Sequence, residues 1–381
     1  MRKGWEYKKL GEYVKEYSVK NKLNENIPVY SVTNSQGFCK DYFGKEVASK
    51  DKSTYKIVPF GFFAYNPSRI NVGSIDWQAQ EDRVIVSPLY NVFSVSAKLK
   101  QQYLLYYLKS PLTIHYIDSV ATGTVRLNLK FSMLKEFIVP IPSIAKQEYI
   151  VSELDKINEL IRLKKEQLKD FDNLAQSLFY EMFGDPAENE KGWEVKKLGD
   201  ISSIGTGSTP NRKNKDFYKN GTYPWVKSTE VCNLPIYSVE EYITEEALKN
   251  SNCTLYPPNT ILMAMYGQGK TRGQIGLLKI EACTNQAVAA IMPTKEVVDE
   301  IFLSQHLMLM YEHIRNMARG GNQANLNLSI VKSIQIFLPP LSLQRLFAQR
   351  IEQIEREKSE VQKSIQDLET LLASRMQYWF E

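Results

Sequence analysis

A run of apolar residues spaced alternately four and three apart constrains this chain more than any other feature of its sequence. The run extends from residue 147 to 183, contains no Gly or Pro, and is interrupted only by Lys164. This spacing is typical of the a and d positions of a coiled coil, so it predicts one continuous helix of roughly 55 Å at about 1.5 Å per residue. The seam consists of Ile150, Leu154, Ile157, Ile161, Lys164, Leu168, Phe171, Ala175, Leu178 and Met182.

The end of the chain repeats this pattern, with each position 197 residues after its counterpart. Because one helix cannot bury so narrow an apolar seam alone, we expect the two helices to pack against each other. Two separate helices, each lying on its own globular core, are the alternative. The second seam consists of Phe347, Ile351, Ile354, Lys358, Val361, Ile365, Leu368, Leu372, Arg375 and Trp379.

Shorter motifs extend the repeat to the whole chain. The segment that begins at Trp5 (WEYKKLGE) is identical at six of eight positions to the segment that begins at Trp193 (WEVKKLGD). Before each long helix, a Leu-Asn-Leu stretch is followed by a Lys and then by a Pro-to-Gln segment that ends at Gln147 or Gln344. The chain is therefore a tandem duplication of roughly 1–184 and 188–381, each half a globular unit followed by a long helix.

Between these motifs the two halves diverge, and each combines predicted strands with a helical region. The predicted strands are 27–32, 55–58, 60–65, 84–86, 90–95, 223–226, 261–265 and 274–278, and the helical regions are 99–119, interrupted at Pro111, and 297–317. The predicted fold class is α+β: two small α+β domains, at 1–146 and 185–343, separated by two long helices, at 147–184 and 344–381. Close domain termini favour an antiparallel coiled coil with an internal pseudo-twofold duplication.

Composition limits the function classes. Hydrophobic residues make up 43% and charged residues 24%, as in ordinary globular proteins. No run approaches the roughly 18 apolar residues of a membrane span, and residues 1–13 contain no apolar leader, so we expect a cytoplasmic protein. The four Cys and three His have no metal-site spacing, which indicates buried thiols in a reducing compartment. A net charge of +5 permits a polyanionic partner without requiring one.

Motifs for catalysis are weak. Gly269-Lys270-Thr271 resembles part of a phosphate-binding loop, but that motif needs a glycine where Ala264 stands. No glycine-rich fingerprint follows a strand and opens a helix, and no Asn/Asp-Pro-Pro-aromatic tetrad of an amino-methyltransferase occurs. A Ser/His/Asp or Cys/His triad remains open, although nothing in the sequence favours one.

Polar turns in both halves are better suited to binding a polyanion than to catalysis. Arg and Lys can neutralise phosphates, while Asn, Gln and Arg can read base edges with two hydrogen bonds. An ordinary solvated loop is the alternative for each residue taken singly. The candidate DNA-contacting residues are Asn34, Gln36, Arg69, Arg126, Ser208, Thr209, Arg212, Lys213, Lys270, Arg272 and Gln323.

These features together resemble the specificity subunits of type I restriction–modification enzymes. The resemblance covers the whole chain and depends on the duplicated openings at Trp5 and Trp193, the Gly-Ser-Thr-Pro loop at 207–210, the Leu-Asn-Leu stretches, the Pro-to-Gln segments and the two long helices. It implies two target-recognition domains that each read one half of a bipartite DNA sequence. It also implies that the helices set the spacing and dock two modification subunits.

The same resemblance implies a non-catalytic chain without a cofactor of its own. S-adenosylmethionine, ATP and Mg are expected on partner subunits. The modification subunits would bind S-adenosylmethionine and methylate adenine, and the restriction subunits would be ATP-driven. The first half lacks the Gly-x-Thr-Pro loop, so its recognition domain is expected to be of a different subtype. Two alternatives stay open: an enzyme with a cryptic methyltransferase or hydrolase site, and a coiled-coil scaffold that binds proteins.

Overall fold

A computed structural model describes residues 2–40, 51–121, 128–267, 269–317 and 325–381. The first half contains strands β1 (Glu6–Lys9), β2 (Val14–Glu16), β3 (Ser31–Thr33), β4 (Gly37–Cys39), β5 (Lys56–Pro59), β6 (Phe63–Tyr65), β7 (Ile75–Trp77), β8 (Arg83–Val86), β9 (Asn91–Val95) and β10 (Ile138–Ile141), and helices α1 (Gln101–Leu108), α2 (Pro111–Val120), α3 (Phe131–Leu134) and α4 (Ile144–Phe183).

The second half contains strands β11 (Glu194–Lys197), β12 (Ser202–Thr206), β13 (Tyr223–Val226), β14 (Pro235–Ile236), β15 (Tyr242–Ile243), β16 (Ile261–Ala264), β17 (Ile275–Leu278), β18 (Cys283–Thr284), β19 (Val288–Pro293) and β20 (Gln335–Leu338), and helices α5 (Leu198–Ile201), α6 (Glu245–Lys249), α7 (Glu300–Leu309), α8 (Tyr311–Met317), α9 (Leu328–Ser333) and α10 (Leu341–Phe380).

The chain divides into two compact units, the first made of two separate segments and the second of one long segment. The first unit is Met1–Glu166 with Gln362–Glu381, and the second is Gln167–Val361. Each unit therefore holds one globular region, the first part of the long helix that follows it, and the last part of the other long helix. The α+β fold with two long helices is confirmed.

The central sheets of the two units have the same strand order. The first runs β2-β9-β6-β7 and the second β12-β19-β16-β17-β14, so four strands correspond one to one. The second unit adds β14 at the edge and a separate sheet of β15, β13 and β18. The shared order shows that the duplicated sequence motifs enclose a duplicated sheet. The first unit has separate pairs of its own, β3 with β4 and β5 with β8, so the strands outside the shared sheet differ between the halves.

The duplicated opening motif forms the strand that closes each globular region. β1 pairs antiparallel with β10, and β11 pairs antiparallel with β20, which directly precedes the long helix. A Cβ on Gly11 would lie 3.1 Å from the Lys135 Cβ, and one on Gly199 would lie 3.1 Å from the Lys332 Cβ. The matched Gly and Lys residues thus mark a close approach that recurs in both halves.

The duplicated glutamine ties each long helix to the helix that follows the sheet. The Gln147 Oε1 accepts a hydrogen bond from the Lys100 amide (2.9 Å), and its Nε2 donates to the Lys98 and Pro142 carbonyls. Gln344 does the same with the Asp299 amide and the Pro339 carbonyl. Both side chains are fully buried, so these bonds satisfy backbone groups that water cannot reach.

The two long helices are antiparallel, as predicted. In the first unit, Lys165 of α4 pairs with Glu369 of α10 at 2.8 Å, and the Arg375 guanidinium contacts Glu153. In the second unit the seam lysine Lys358 pairs with Asp172 at 2.8 Å. Residue numbers that rise along one helix and fall along the other define the opposite directions of the pair.

The seam lysine Lys358 is largely buried, and two acidic partners hold its charge. Burial by itself would lower the pKa of Lys358, but hydrogen bonds to Asp172 and Glu355 outweigh it, and the pKa lies above its ordinary value. A buried charge favours the helix alignment in which it meets its acidic partners over alignments shifted along the helix axis.

The buried face of each long helix changes at its C-terminal end. Phe179 and Phe183, which lie outside the predicted seam, are fully buried in the core of the second unit. At the end of α10, Trp379 lies on the seam, but Phe380 beside it also enters the core of the first unit, where its ring contacts Tyr103 and Tyr107. The globular core and the partner helix therefore bury each helix end together, since Phe347 of α10 also contacts Phe179 and Phe183.

Three secondary-structure predictions were inaccurate. Of the predicted strand 60–65, only Phe63–Tyr65 is a strand. The predicted strand 27–32 is mostly a loop that makes one parallel bridge from Val29 to Ile85, and regular pairing begins only at Ser31. The predicted helix 297–317 is two helices separated at Met310. The matching break between α1 and α2 was visible in the sequence because Pro111 occupies the first turn of α2.

Candidate nucleic-acid interface

The loops with the predicted contact residues of the second unit leave the same end of its central sheet. β12 and β16 both run antiparallel to β19, on either side of it. Thr206 pairs with Ala289 and Ala264 pairs with Val288, so β12 and β16 end where β19 begins. We call this the polar end of the sheet. The loops 207–214 and 265–274 lie there, with the turn 285–287 between them.

The loop after β12 is anchored by its backbone. A Cβ on Gly207 would lie 1.8 Å from the Thr284 carbonyl oxygen, so only glycine allows this approach. The Ser208 amide donates to that carbonyl, and the Ser208 carbonyl accepts from the Trp225 Nε1 at 3.0 Å and from the Cys253 Sγ at 3.2 Å. Ser208 therefore fixes the loop through its backbone.

The cations of this loop differ in their surroundings. The Arg212 guanidinium lies 4.4 Å from the ring centre of Tyr218 and 4.8 Å from that of Trp225, and it pairs with Glu241 at 2.7 Å. Lys213 is exposed, and its backbone amide donates to the Asn211 side chain, while no described residue bonds to its ammonium group. Arg212 thus supports the loop as well as adding charge, whereas the Lys213 ammonium extends into solvent.

The loop after β16 rests on helix α8. The Tyr311 hydroxyl donates to the Lys270 carbonyl at 2.5 Å, and the Arg315 guanidinium donates to the carbonyls of Gly269 (2.8 Å) and Arg272 (3.2 Å). Lys270 itself is exposed. These bonds hold the loop backbone from below, so its side chains can project outward without folding back.

Arg272 is half-buried in this loop. Its Nε lies out of contact with solvent and has no hydrogen-bond partner among the described residues. A buried donor left without an acceptor costs about 1–3 kcal/mol, more when it is charged. Because this Nε is closed to solvent, it is not a contact point for an external anion, and DNA contact by Arg272 stays a prediction.

The turn between the two loops was missed by the sequence reasoning. Gln286 is exposed there, and the Thr209 hydroxyl donates to its Oε1 at 2.5 Å. The Asn-Gln pair at 285–286 was a visible signal, since Asn favours turns and both amides belong to the type that can read base edges. Only the strand pairing shows that it lies between the two cationic loops.

The first unit brings three of its predicted residues to the equivalent end of its sheet. β6 ends where β9 begins, and the loop 66–74 follows, with Arg69 exposed in it. The turn 34–36 lies against this loop: a Cβ on Gly73 would be 2.3 Å from the Asn34 Oδ1. Asn34 and Gln36 are both exposed. Arg126 of the first half and Gln323 of the second lie outside the described residues.

The loops 66–74 and 265–274 thus occupy the same position in the duplicated sheet, but different contacts support them. In the first unit, Ile70 of the loop is buried in the same apolar cluster as Ile117 of α2. In the second unit, the Tyr311 hydroxyl and the Arg315 guanidinium of α8 support the loop through hydrogen bonds to its carbonyls. The position is common to both units, and the surface is specific to each.

Both halves of the chain match the same known protein family. Residues 2–170 and 190–370 match the family described as type I restriction modification DNA specificity domain, once in each half. The chain belongs to this family. Its curated relatives include the MjaIX specificity subunit of Methanocaldococcus jannaschii, 26% identical over 261 residues, and the EcoR124I/EcoR124II specificity subunit of Escherichia coli, 26% identical over 226 residues.

These alignments cover 65% and 55% of this chain and 60% and 53% of the two relatives, so the chain spans somewhat more than half their length. Solved structures share the fold over nearly its whole length. A chain solved for "Structural basis underlying complex assembly and conformational transition of the type I R-M system" has a TM-score of 0.63 at 18% identity, covering 99% of this chain and 97% of that one. The type I restriction-modification S subunit from M. genitalium has a TM-score of 0.57 at 15% identity, covering 99% and 96%.

Other site types find little support in this family member. Within the described ranges, no group of three or more His, Cys, Asp or Glu side chains could hold a metal ion. Burial raises the pKa of Cys283 to about 12 and also raises that of Cys253, so both thiols are poor nucleophiles. Lys270 and Thr271 lie in a loop between two strands rather than at a helix start, unlike a phosphate-binding loop. None of the described helices has the length and hydropathy of a membrane span.

Proposed function

We propose that this chain is the DNA sequence-recognition subunit of a type I restriction–modification complex. Target-recognition domains at 1–146 and 185–343 each read one half of a bipartite sequence, and the long helices at 147–184 and 344–381 set the gap and dock modification subunits. One observation carries the proposal: both units present exposed polar loops at the same end of the same sheet, built from sequence that differs between the halves.

The chemistry of these loops suits duplex DNA. Lys213 and Lys270 are exposed cations on either side of the 285–287 turn, where they can neutralise phosphates. Asn34 and Gln36 in the first unit offer amides that can read base edges in the major groove. Contacts to phosphate orient the protein on the duplex, and contacts to bases select the sequence. Both kinds of group are present at each polar end.

The chain itself is proposed to be non-catalytic. Modification subunits that bind S-adenosylmethionine would methylate adenine, and restriction subunits would use ATP and Mg. Support comes from the family, which is named for DNA specificity, and from relatives named as specificity subunits of restriction enzymes. The buried, weakly acidic thiols give no support to the enzymatic alternative.

The test is an exchange of one recognition domain. Replacing residues 1–146 with the equivalent region of another specificity subunit should change one half of the methylated target and leave the other half intact, because each unit has its own polar end. Methylome sequencing of cells that express the hybrid with a modification partner measures both halves. The reciprocal exchange of residues 185–343 is the control and should change the other half. A simultaneous change of both halves in either hybrid would contradict the proposal.

A further inference from the structure

Gln286 is held in place from several sides at the centre of the polar end of the second unit. The Asn285 amide donates to the Val226 carbonyl, and the Asn285 Oδ1 accepts from the Ala287 amide. The Ala287 carbonyl accepts from the Met265 amide at 2.8 Å. The Thr206 hydroxyl donates to the Val288 carbonyl at 2.9 Å and lies 3.3 Å from the Gln286 carbonyl. The backbone of this turn is therefore fixed before any ligand binds.

The Gln286 side chain is oriented as well. The Thr209 hydroxyl donates to its Oε1 at 2.5 Å, which joins the turn to the loop after β12. An amide oxygen has two lone pairs, so one acceptor site remains, and the Nε2 donors have no partner among the described residues. The result is an exposed amide with both an acceptor and a donor available, whose freedom one hydrogen bond has already restricted.

The surroundings make this amide suitable for base reading rather than phosphate binding. Lys213 lies in the loop on one side and Lys270 in the loop on the other, so phosphates have cations available at the margins. A Gln amide placed between them pairs best with the N6 and N7 edge of adenine in the major groove. Preorganisation lowers the entropy cost of that contact.

We propose that Gln286 reads a base edge, with adenine as the preferred base, in the half-site of the second domain, and that Thr209 is its positioning residue. The inference rests on the proposed function and adds to it a specificity-determining side chain that the sequence motifs did not reveal.

The test uses four variants of the full chain with its modification partner: Gln286→Ala, Gln286→Glu, Thr209→Val and Thr209→Ser. Gln335→Glu, which changes an exposed glutamine on β20, is the matched control. Preferred targets are selected from a duplex library randomised in both half-sites. Thermal unfolding of every variant should match that of the wild type, because Gln286 is exposed.

We expect Gln286→Ala to lose about 5- to 150-fold of discrimination at one position of one half-site, the range for one good bidentate pair. Gln286→Glu should shift that position from adenine towards cytosine, since a carboxylate accepts from the cytosine amino group. Thr209→Val should weaken discrimination at the same position, and Thr209→Ser, which keeps the hydroxyl, should restore it. Gln335→Glu should select the wild-type target.

An unchanged target in both Gln286 variants would overturn the inference, as would an equal loss of affinity on all sequences, which would indicate a phosphate contact. Either result leaves the proposed function standing when the wild-type chain still selects a bipartite target. Failure of the wild-type chain to select any sequence would overturn the proposed function as well.

Discussion

His306 shows at the scale of one residue how an aromatic core controls a titratable group. The side chain is fully buried, its ring centre lies 4.5 Å from that of Phe337, and neither ring nitrogen has a hydrogen-bond partner among the described residues. Burial lowers the pKa of His306 to about 3. The native protein therefore keeps this imidazole neutral at any pH at which the protein is ordinarily handled.

The lowered pKa predicts a loss of stability in acid. Below about pH 6.5 the His306 imidazole is protonated in the unfolded chain but stays neutral in the native state. The free energy of unfolding therefore falls as the pH drops from about 6.5 towards 3. His306→Phe should remove this contribution, which is about 2 kcal/mol at pH 5. Urea unfolding at about pH 7 and pH 5 measures the difference, with His115→Gln, at an exposed histidine, as the control. An identical pH dependence in wild type and His306→Phe would refute this account.

Lys213 and Lys270 carry a second prediction at this scale. Each is exposed at the polar end, so Lys213→Ala and Lys270→Ala should weaken binding on all duplex sequences without changing stability. For each phosphate that a variant no longer neutralises, the slope of log affinity against log salt should become shallower by about 0.9. Lys295→Ala is the matched control, because this exposed lysine follows the far end of β19. A control that weakened binding as much as the other two variants would place the DNA elsewhere.

At the scale of elements, helix α8 determines the conformation of the loop after β16. The Tyr311 hydroxyl and the Arg315 guanidinium occupy three carbonyls of that loop, and Gly273 takes the left-handed φ of +87° that closes it. The two units support this loop by different contacts, since the first unit uses apolar contacts around Ile70. Such differences let a common sheet carry unlike surfaces.

This brace predicts the protease sensitivity of the loop. Trypsin can cut after Lys270 and Arg272 only when the loop opens, and removal of the Arg315 hydrogen bonds, at about 1.5–3 kcal/mol for a charged donor, should favour opening. Arg315→Met and Tyr311→Phe should therefore raise the cleavage rate, Arg315→Met by about tenfold or more. Glu312→Gln, an exposed change on the same helix, should leave the rate unaltered. Equal rates for all variants would show that α8 does not hold the loop, whatever the chain binds.

At the scale of the whole molecule, each long helix helps to build the core of the unit that contains the other globular region. Helix α4 contributes Phe179 and Phe183 to the core of the second unit, and α10 contributes Trp379 and Phe380 to the core of the first. Each unit therefore depends on a helix that begins in the other half of the sequence. Both helices are 40 residues long, in keeping with the duplication.

The proposed role of the helices as a spacer predicts a change in the DNA target. Adding one heptad to both helices keeps the seam in phase and lengthens each by about 10 Å, which corresponds to roughly three base pairs between the half-sites. The half-site sequences should stay the same. Affinity is expected to fall, because three base pairs also rotate one half-site by about a third of a turn. Selection from a library with randomised gaps measures the preferred spacing, and a gap equal to that of the wild type would rule out the helices as the spacer.

The sequence alone determined the features whose signals are local or repeated. The seams from Ile150 and Phe347 repeat every seven residues, and the openings at Trp5 and Trp193 lie at matched offsets, so the helices, the duplication and the family could be predicted. Strands 223–226 and 261–264 were also recognisable from short apolar runs. The break at Met310 was not, because it lacks the proline that marks the same break at Pro111.

Only the tertiary structure decided which polar turns lie together. Gly207 meets Thr284, and Ser208 bonds to it, through strand pairing between segments far apart in the chain. The directions of β12, β16 and β19 bring the loops of Lys213 and Lys270 to one end and place Gln286 between them. Local sequence carries no record of that pairing, because strand direction and order are set by packing of the whole sheet. The sequence of the turn at Gln286 therefore does not reveal which loops lie beside it, because only the folded chain brings them together.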